Sequence, residues 1–252
     1  MDAGARSMSA QPGVLLLGGT GRTGGRVLEQ LLEHEVAVRA VVRSAERLPA
    51  GVMENPLLTV TVSGLSSMSK DELARQVEGC DVVISCLGHN LSAQGLFGRP
   101  RDLVAGAAER VSRIIGARRP ERPLRFILMS SVSVNRPGRL DARRGSFERA
   151  VVWGLRGVLP PARDNQRAAD YLAGEVGADD RFVQWAIVRP DTLREGAVTE
   201  YTLHEGLVDS LFRPGETNMA NVAHFMCELA TDDQTWAAWR GKHPVIVNAS
   251  SA

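Results

Sequence analysis

A glycine-rich turn lies between a short apolar run and an amphipathic run near the start of the chain. In VLLLGGTGRTGGRVLEQLL, residues 14–32, five glycines fall within eight consecutive positions. Val14–Leu17 is apolar throughout, as in a strand covered on both faces, and Arg22–Glu33 carries its apolar side chains on one helical face. Glycines between a strand and a helix let a phosphate approach the free N–H groups at the helix N-terminus. The turn therefore predicts a nucleotide site.

Short apolar strands alternate with amphipathic helices along most of the chain. The pattern predicts further strands at 36–42, 58–62, 82–87, 124–131, 182–190 and 243–249, and helices at 70–78, 101–118 and 146–173, the last interrupted by Pro160 and Pro161. Parallel strands need crossover connections, so we predict an α/β fold, a Rossmann-type doubly wound parallel sheet of about seven strands with helices on both faces. Residues 191–240 do not fit this alternation, and we expect them to hold a substrate lid.

Length, charge and cysteine content limit the classes of partner. A chain of 252 residues suits one domain, which we place at 13–252 after a disordered leader at 1–12. The formal net charge of +1 gives no indication of a nucleic-acid partner, and no apolar run has the length of a membrane span. The three cysteines form no CxxC pair, so we expect a reducing, cytoplasmic location. With neither a nucleic acid nor a membrane indicated, we expect a small molecule as substrate.

The glycines match the dinucleotide-binding pattern GxGxxG at Gly19, Gly21 and Gly24. In this pattern the first glycine permits the tight turn, the second lets a diphosphate approach the backbone, and the third lets the helix pack closely on the strand. The alternative is a glycine-rich turn without a ligand, but the position between the first strand and the first helix favours binding. We therefore predict that the turn binds the cofactor through Gly18, Gly19, Thr20, Gly21, Arg22, Thr23 and Gly24.

The end of the second strand indicates which dinucleotide is bound. An NAD site places an acid there, about 20 residues beyond the glycines, to accept hydrogen bonds from the adenosine ribose. This chain has Arg43 and Ser44 instead, and a guanidinium pairs with a 2′-phosphate. Arg22 offers a second positive charge. Although Arg43 could be a solvated arginine in an arginine-rich chain, the missing acid favours NADP as cofactor.

Six segments together resemble the short-chain dehydrogenase/reductase superfamily, in its atypical, NmrA-like branch. They are GGTGRTG, VRAVVRS, DVVISCLG, FILMSSVSV, QRAADYL and AIVRP, in this order and with fitting spacing over residues 13–195. The resemblance implies a Rossmann fold, with Leu87 and Gly88 near the adenosine half of the cofactor and Pro190 beside the nicotinamide. It also implies that Ser131 orients a substrate carbonyl, with Ser130 and Ser133 as neighbours, and assigns Ser130 to the cofactor.

The chain departs from this family at the catalytic Tyr-x-x-x-Lys pair. Its two tyrosines, Tyr171 and Tyr201, are each followed four residues later by a glutamate. Aligning QRAADYL places Ala162 at the tyrosine position and Gln166 at the lysine position, where Gln166 could still contact the ribose. We consider His89, after the fourth strand, and Tyr201, in the predicted lid, as replacement acids, although residues in such positions are more often polar loop or surface groups.

Three functions fit these features. The first is an NADPH-dependent reductase of a small carbonyl, enone or quinone-like substrate, because hydride transfer depends on placement and solvent can complete protonation. The second is a non-catalytic NADP-binding redox sensor, and the third a non-redox isomerase or dehydratase that retains NADP. The histidines show no metal-ligand spacing, so we predict no metal site. We expect a monomer or a homodimer.

Overall fold

Eight strands form one sheet in the computed structural model, which describes residues 13–88, 102–136, 154, 160–210 and 214–249. The described strands are β1 Val14–Leu17, β2 Val38–Val42, β3 Leu58–Val62, β4 Val82–Ser85, β5 Leu124–Met129, β6 Val183–Pro190, β7 Thr192–Arg194, β8 Tyr201–His204, β9 Glu216–Asn218 and β10 Val245–Asn248. The described helices are α1 Arg22–Glu33, α2 Lys70–Val77, α3 Leu103–Arg118, α4 Pro160–Asp170, α5 Met219–Thr231 and α6 Asp233–Trp239. Short 3₁₀ turns lie at Ala45–Arg47 and Val52–Glu54, and a π-helical turn at Tyr171–Val176 continues α4.

The sheet is doubly wound. Its strand order is β3-β2-β1-β4-β5-β6-β10-β8, and all neighbours are parallel except β8, which pairs antiparallel with β10 at the edge. The chain runs outward from β1 through β2 to β3 and then returns to the other side of β1 as β4. Connections leave β1 and β4 in opposite directions at this switch point, which opens a crevice at the carboxyl ends of the two strands.

Both faces of the sheet are covered, as the continuous apolar strands predict. Along β1, Val14 and Leu16 belong to the core under α1 and α5, whereas Leu15 and Leu17 belong to the core under α2, α3 and α4. All four side chains are at most 1% exposed. Side chains alternate between the two faces of a strand, so burial on both sides requires a run without polar residues. The predicted Rossmann-type sheet is confirmed.

The segment at 191–240 is more structured than the alternating pattern indicates. Three short strands, β7, β8 and β9, lie in it, and β7 pairs with β9 in a separate two-stranded parallel sheet. Strands of three or four residues with polar side chains give no periodic signal, which explains why the sequence does not predict them. The same segment contains α5, whose Val222, Phe225 and Leu229 are fully buried beside α1. That helix is part of the core, and a lid role for the remainder stays a prediction.

Candidate cofactor site

The turn between β1 and α1 requires glycine at two positions. Gly18 has a φ of +85°, and a Cβ there would lie 2.6 Å from the Cys86 carbonyl oxygen. A Cβ at Gly24 would lie 2.2 Å from the Gly18 carbonyl oxygen, so α1 packs on the turn only without a side chain. Gly21 caps α1 and donates its N–H to the Gly18 carbonyl over 2.9 Å. The left-handed residue of the turn is therefore Gly18, which directly precedes Gly19, the first glycine of the GxGxxG pattern.

A cleft opens beside this turn at the switch point of the sheet. Its position outside the carboxyl ends of the strands, beside the first turn of α1, suits part of a dinucleotide. The predicted cofactor residues that line it are Gly18, Thr20, Gly21, Arg43, Leu87 and Gly88. The other residues of its lining are Val41, Val42, Arg47, Ser63, Leu65, Cys86 and Leu103. The first turn of α1 contains no acidic residue, so its N–H groups and the positive end of the helix dipole favour an anion.

Two arginines line the cleft where β2 ends. Arg43 follows β2 directly, and Arg47 closes the 3₁₀ turn at Ala45–Arg47. The 3₁₀ turn brings the chain back toward the cleft, so Arg47 lines the cleft together with Arg43. Arg47 was not predicted, and its spacing of four from Arg43 after a strand is the signal that could have identified it. Ser44, a predicted cofactor residue, precedes the 3₁₀ turn and is not part of the cleft lining.

Arg22 does not face the cleft. Its Nε and Nη2 donate to the Glu195 Oε1 atom over 3.1 and 2.7 Å, and Arg26 donates to the other Glu195 oxygen. The Arg22 guanidinium already pairs with the Glu195 carboxylate. Its position therefore does not agree with the prediction that Arg22 supplies a second charge for a 2′-phosphate. Thr23, also a predicted cofactor residue, is buried in α1, and Gly19 packs against Leu16.

The loop that follows β5 is held rigidly from several sides. The Ser131 and Ser133 hydroxyl oxygens lie 2.5 Å apart, and the Pro190 carbonyl accepts the Val132 N–H over 3.1 Å. Arg189, fully buried in β6, donates to the Val134 carbonyl over 3.1 Å. Such a loop is preorganised, which is a requirement for groups that orient a substrate. Ser131 follows β5 at the carboxyl edge of the sheet, and its role in orienting a substrate carbonyl stays a prediction.

Ser130 and Gln166 differ in what they contact. The Ser130 N–H donates to the Val188 carbonyl over 2.8 Å, and its buried hydroxyl has no hydrogen-bond partner among the described residues. The Gln166 side chain instead accepts the Asn135 N–H over 2.9 Å and donates to the Asn135 carbonyl and to Asp170. Because these bonds occupy both ends of its amide, Gln166 fixes the loop after β5, and the predicted contact with the ribose is not met in this arrangement.

Tyr201 lies away from the cleft lining, on the edge strand β8. Its hydroxyl donates to the Glu228 carboxylate over 2.7 Å and lies 2.9 Å from His224 Nδ1, both on α5. Burial, followed by the bond to Glu228, raises the pKa of Tyr201, which makes its hydroxyl a weaker acid. The structure therefore does not place Tyr201 where a substrate acid is needed. His89, the other candidate acid, lies outside the described residues.

Two further polar residues near the sheet edge have structural partners. Asp164, which is 2% exposed, accepts the Val104 and Ala105 N–H groups over 2.8 and 3.0 Å and so caps α3 from the neighbouring helix α4. Asp191 accepts the N–H groups of Thr192 and Gly215, and burial raises its pKa. Over the described ranges, no cluster of three His, Cys, Asp or Glu side chains could hold a metal ion. In the same ranges, every helix is too short or too polar to cross a bilayer.

Comparison with known proteins adds three similarities and a family match. The family model described as NAD(P)H-binding matches residues 18–233. Averufin oxidase of Emericella nidulans is 26% identical over 245 residues, which cover 87% of this chain and 77% of that protein. A short-chain dehydrogenase/reductase of Veillonella parvula, solved with NADP, superposes with a TM-score of 0.66 at 13% identity, covering 95% of each chain. An anaerobilin reductase of Escherichia coli gives 0.65 at 19% identity, covering 95% of this chain and 98% of the other.

Proposed function

Because the chain belongs to the NAD(P)H-binding family, we propose that it is an NADPH-dependent reductase of the atypical short-chain type, acting on a small carbonyl, enone or quinone-like molecule. The observation that carries this proposal is the lining of the cleft at the end of β2. Arg43 and Arg47 both line it, and none of its described lining residues is acidic. Two guanidinium groups suit a 2′-phosphate, whereas a site for NAD needs a carboxylate acceptor there.

The turn residues and the loop after β5 divide the work of binding and orientation. The backbone at Gly18 and Gly21 would accept the diphosphate at the N-terminus of α1. When bound, the reduced nicotinamide supplies a hydride. Ser131 would orient the substrate oxygen: if Ser133 donates to Ser131 across their 2.5 Å contact, Ser131 keeps its own proton for the substrate.

Protonation then falls to solvent or to a residue outside the described ranges. Ala162 stands at the position of the family tyrosine, and Gln166 carries no charge and holds Asn135. An enone or quinone-like substrate suits such a site, because these molecules accept a hydride readily and their anionic products take a proton from water. Two of the similar proteins are named as an oxidase and a reductase, which supports redox chemistry.

A non-catalytic NADP-binding sensor is the second candidate. It is favoured by the engagement of Gln166 and Tyr201 in contacts that hold the fold together. A sensor needs the cofactor cleft alone, so it requires no proton donor at the loop after β5. Both candidates predict the same binding of NADP and differ only in turnover.

Titration calorimetry with NADPH and NADH tests the cofactor part of the proposal. Arg43→Ala and Arg47→Ala should each weaken NADPH binding by about tenfold or more, because a hydrogen bond to a charged group contributes about 1.5–3 kcal/mol. Binding of NADH should change little. Arg113→Ala, a change on the outer face of α3, is the matched control. Equal losses for NADPH and NADH in the cleft variants would contradict the assignment of the two arginines.

Turnover separates the reductase from the sensor. The protein is mixed with NADPH and a panel of quinones and enones, and the absorbance of the reduced nicotinamide is followed. Oxidation that falls in Ser131→Ala at unchanged NADPH affinity supports the reductase. Tight binding of both redox forms without turnover on any member of the panel would favour the sensor.

A further inference from the structure

A short segment after β7 connects the end of β6 to the first turn of α1. Residues 195–199, here called the strap, begin with Glu195, whose carboxylate pairs with Arg22 on one oxygen and Arg26 on the other. Arg22 is the first residue of α1, directly after the diphosphate turn. The strap therefore contacts the first turn of α1, whose N-terminus directly follows Gly21 of the cleft lining.

The other residues of the strap are fixed to the end of β9 and the start of α5 by hydrogen bonds with side-chain amides. The Asn221 side chain, fully buried, accepts the Thr199 N–H over 2.7 Å and donates to the Thr199 hydroxyl over 3.0 Å. Asn218 donates to the Ala197 carbonyl over 3.0 Å. A Cβ at Gly196 would lie 2.6 Å from the Asn218 side chain, so the strap passes close to the start of α5. The carboxyl end of the strap is thus fixed to Asn218 and to the buried Asn221, although residues 195–199 are themselves exposed.

The other end follows Arg194, which pairs with Asn218 between β7 and β9, and the described contacts of Glu195 with α1 are ion pairs. The side chains of Arg22 and Glu195 are 68% and 59% exposed, and that of Arg26 is 29% exposed. Exposed pairs of this kind stabilise a fold little and break and re-form easily. The pKa of the Glu195 carboxyl is lowered by the hydrogen bond from Arg22 and by the charge of Arg26, so the carboxylate is charged at neutral pH. Because the strap is fixed at both chain ends, its side-chain contact with α1 can open while the strap itself stays in place.

We infer that the Glu195 contact with Arg22 and Arg26 is a clasp that slows release of the bound dinucleotide. The inference rests on the proposed function, because it requires that NADPH occupies the cleft. With the clasp closed, the first turn of α1 is tied to the strap. With it open, that turn is released from the strap while α1 still packs on α5, and the diphosphate leaves more readily. Glu195 is a positioning residue here, since it acts through the two arginines.

The test is the rate at which bound NADPH leaves the full-length protein, followed by stopped-flow fluorescence during a chase with excess NADP. Glu195→Gln removes the charge and keeps the shape, and it should raise the release rate by about fivefold, which is the scale of two exposed ion pairs. Glu216→Gln is the matched control, because Glu216 forms a comparable exposed pair with Arg194 beside the strap without reaching α1. The control should release NADPH at the native rate.

A second variant shows whether the effect passes through the clasp. Arg26→Gln should raise the release rate by less than Glu195→Gln, and the double variant should release NADPH no faster than Glu195→Gln, because the two changes remove the same contact. Equal release rates for Glu195→Gln and the native protein, or slower release, would overturn the clasp while NADPH binding itself stands. Additive effects in the double variant would also overturn it. If the native protein does not bind NADPH, the proposed function fails, and the clasp fails with it.

Discussion

The close approach of α1 to the turn at Gly18 gives the sharpest test of the site. In Gly24→Ala the new Cβ would lie 2.2 Å from the Gly18 carbonyl oxygen, 2.9 Å from the Gly18 carbonyl carbon and 3.1 Å from the Cys86 Cβ. Two of these neighbours are backbone atoms that cannot rotate away. Either the helix moves off the strand or the turn changes shape, and each alternative displaces the N–H groups that face the cleft.

The size of the effect follows from two opposing terms. Alanine is favoured over glycine inside a helix by about 0.5–1 kcal/mol. Overpacking a fixed core position costs about 1–3 kcal/mol, and a contact of this length on backbone belongs at the upper end of that range. The net loss of unfolding free energy should be about 2 kcal/mol, equivalent to a fall in Tm of about 4–8 °C for a chain of this size.

Gly116→Ala provides a control of the same chemistry. Gly116 lies in α3, and a Cβ there would meet no atom within 4 Å. The favourable helix term therefore acts alone, and the variant should gain about 0.5–1 kcal/mol. The same substitution thus has opposite signs at two helical glycines, and the sign is set by what surrounds the Cβ.

Urea unfolding followed by circular dichroism measures both stabilities, and calorimetry with NADPH measures the site. Gly24→Ala should also bind NADPH at least about tenfold more weakly, because its diphosphate amides are displaced. Gly116→Ala should bind like the native protein. A Gly24→Ala variant with native stability and native affinity would refute the argument that close packing at this turn creates the cofactor site.

Three further predictions concern groups outside the cleft. Tyr201→Phe should lower the unfolding free energy by about 1 kcal/mol, since its bonds to α5 are lost, and leave NADPH oxidation unchanged; a fall in kcat would restore Tyr201 as the acid. Asp164→Asn leaves one N–H of the first turn of α3 without its acceptor and should cost about 1–3 kcal/mol, measured by urea unfolding together with hydrogen exchange at Val104; unchanged protection there would contradict the cap. Hydrogen bonds from Ser69 hold the pKa of Glu72 below its ordinary 4.5, so its charge stabilises the protein above that pH and the benefit is lost as the pH falls through the lowered pKa. Glu72→Gln should therefore be less stable than the native protein at pH 7 and equally stable in acid, and a pH-independent difference in urea midpoint would contradict this.

Local patterns in the sequence are sufficient for the framework of this protein. Strands buried on both faces must be continuously apolar, as Val14–Leu17 is, and amphipathic helices must cover them, so the doubly wound sheet follows from periodicity. The glycines between β1 and α1 identify the diphosphate turn because only glycine has the space and the φ that the turn needs. These features depend on residues near one another in the chain, which is why they can be read from it.

Contacts between distant residues were decided by the tertiary structure alone. Arg22 pairs with Glu195, 173 residues away, and the Tyr201 hydroxyl bonds to Glu228 on α5. Both side chains were predicted to act at the cofactor or substrate site, and neither is part of the cleft lining. Arg47, in contrast, is brought beside Arg43 by a single 3₁₀ turn. A side chain's chemistry is fixed by its type, but its partner is fixed by which elements the fold brings together. The sequence therefore determines that a dinucleotide-type cleft forms, and the packing of distant elements determines which polar side chains are already paired elsewhere.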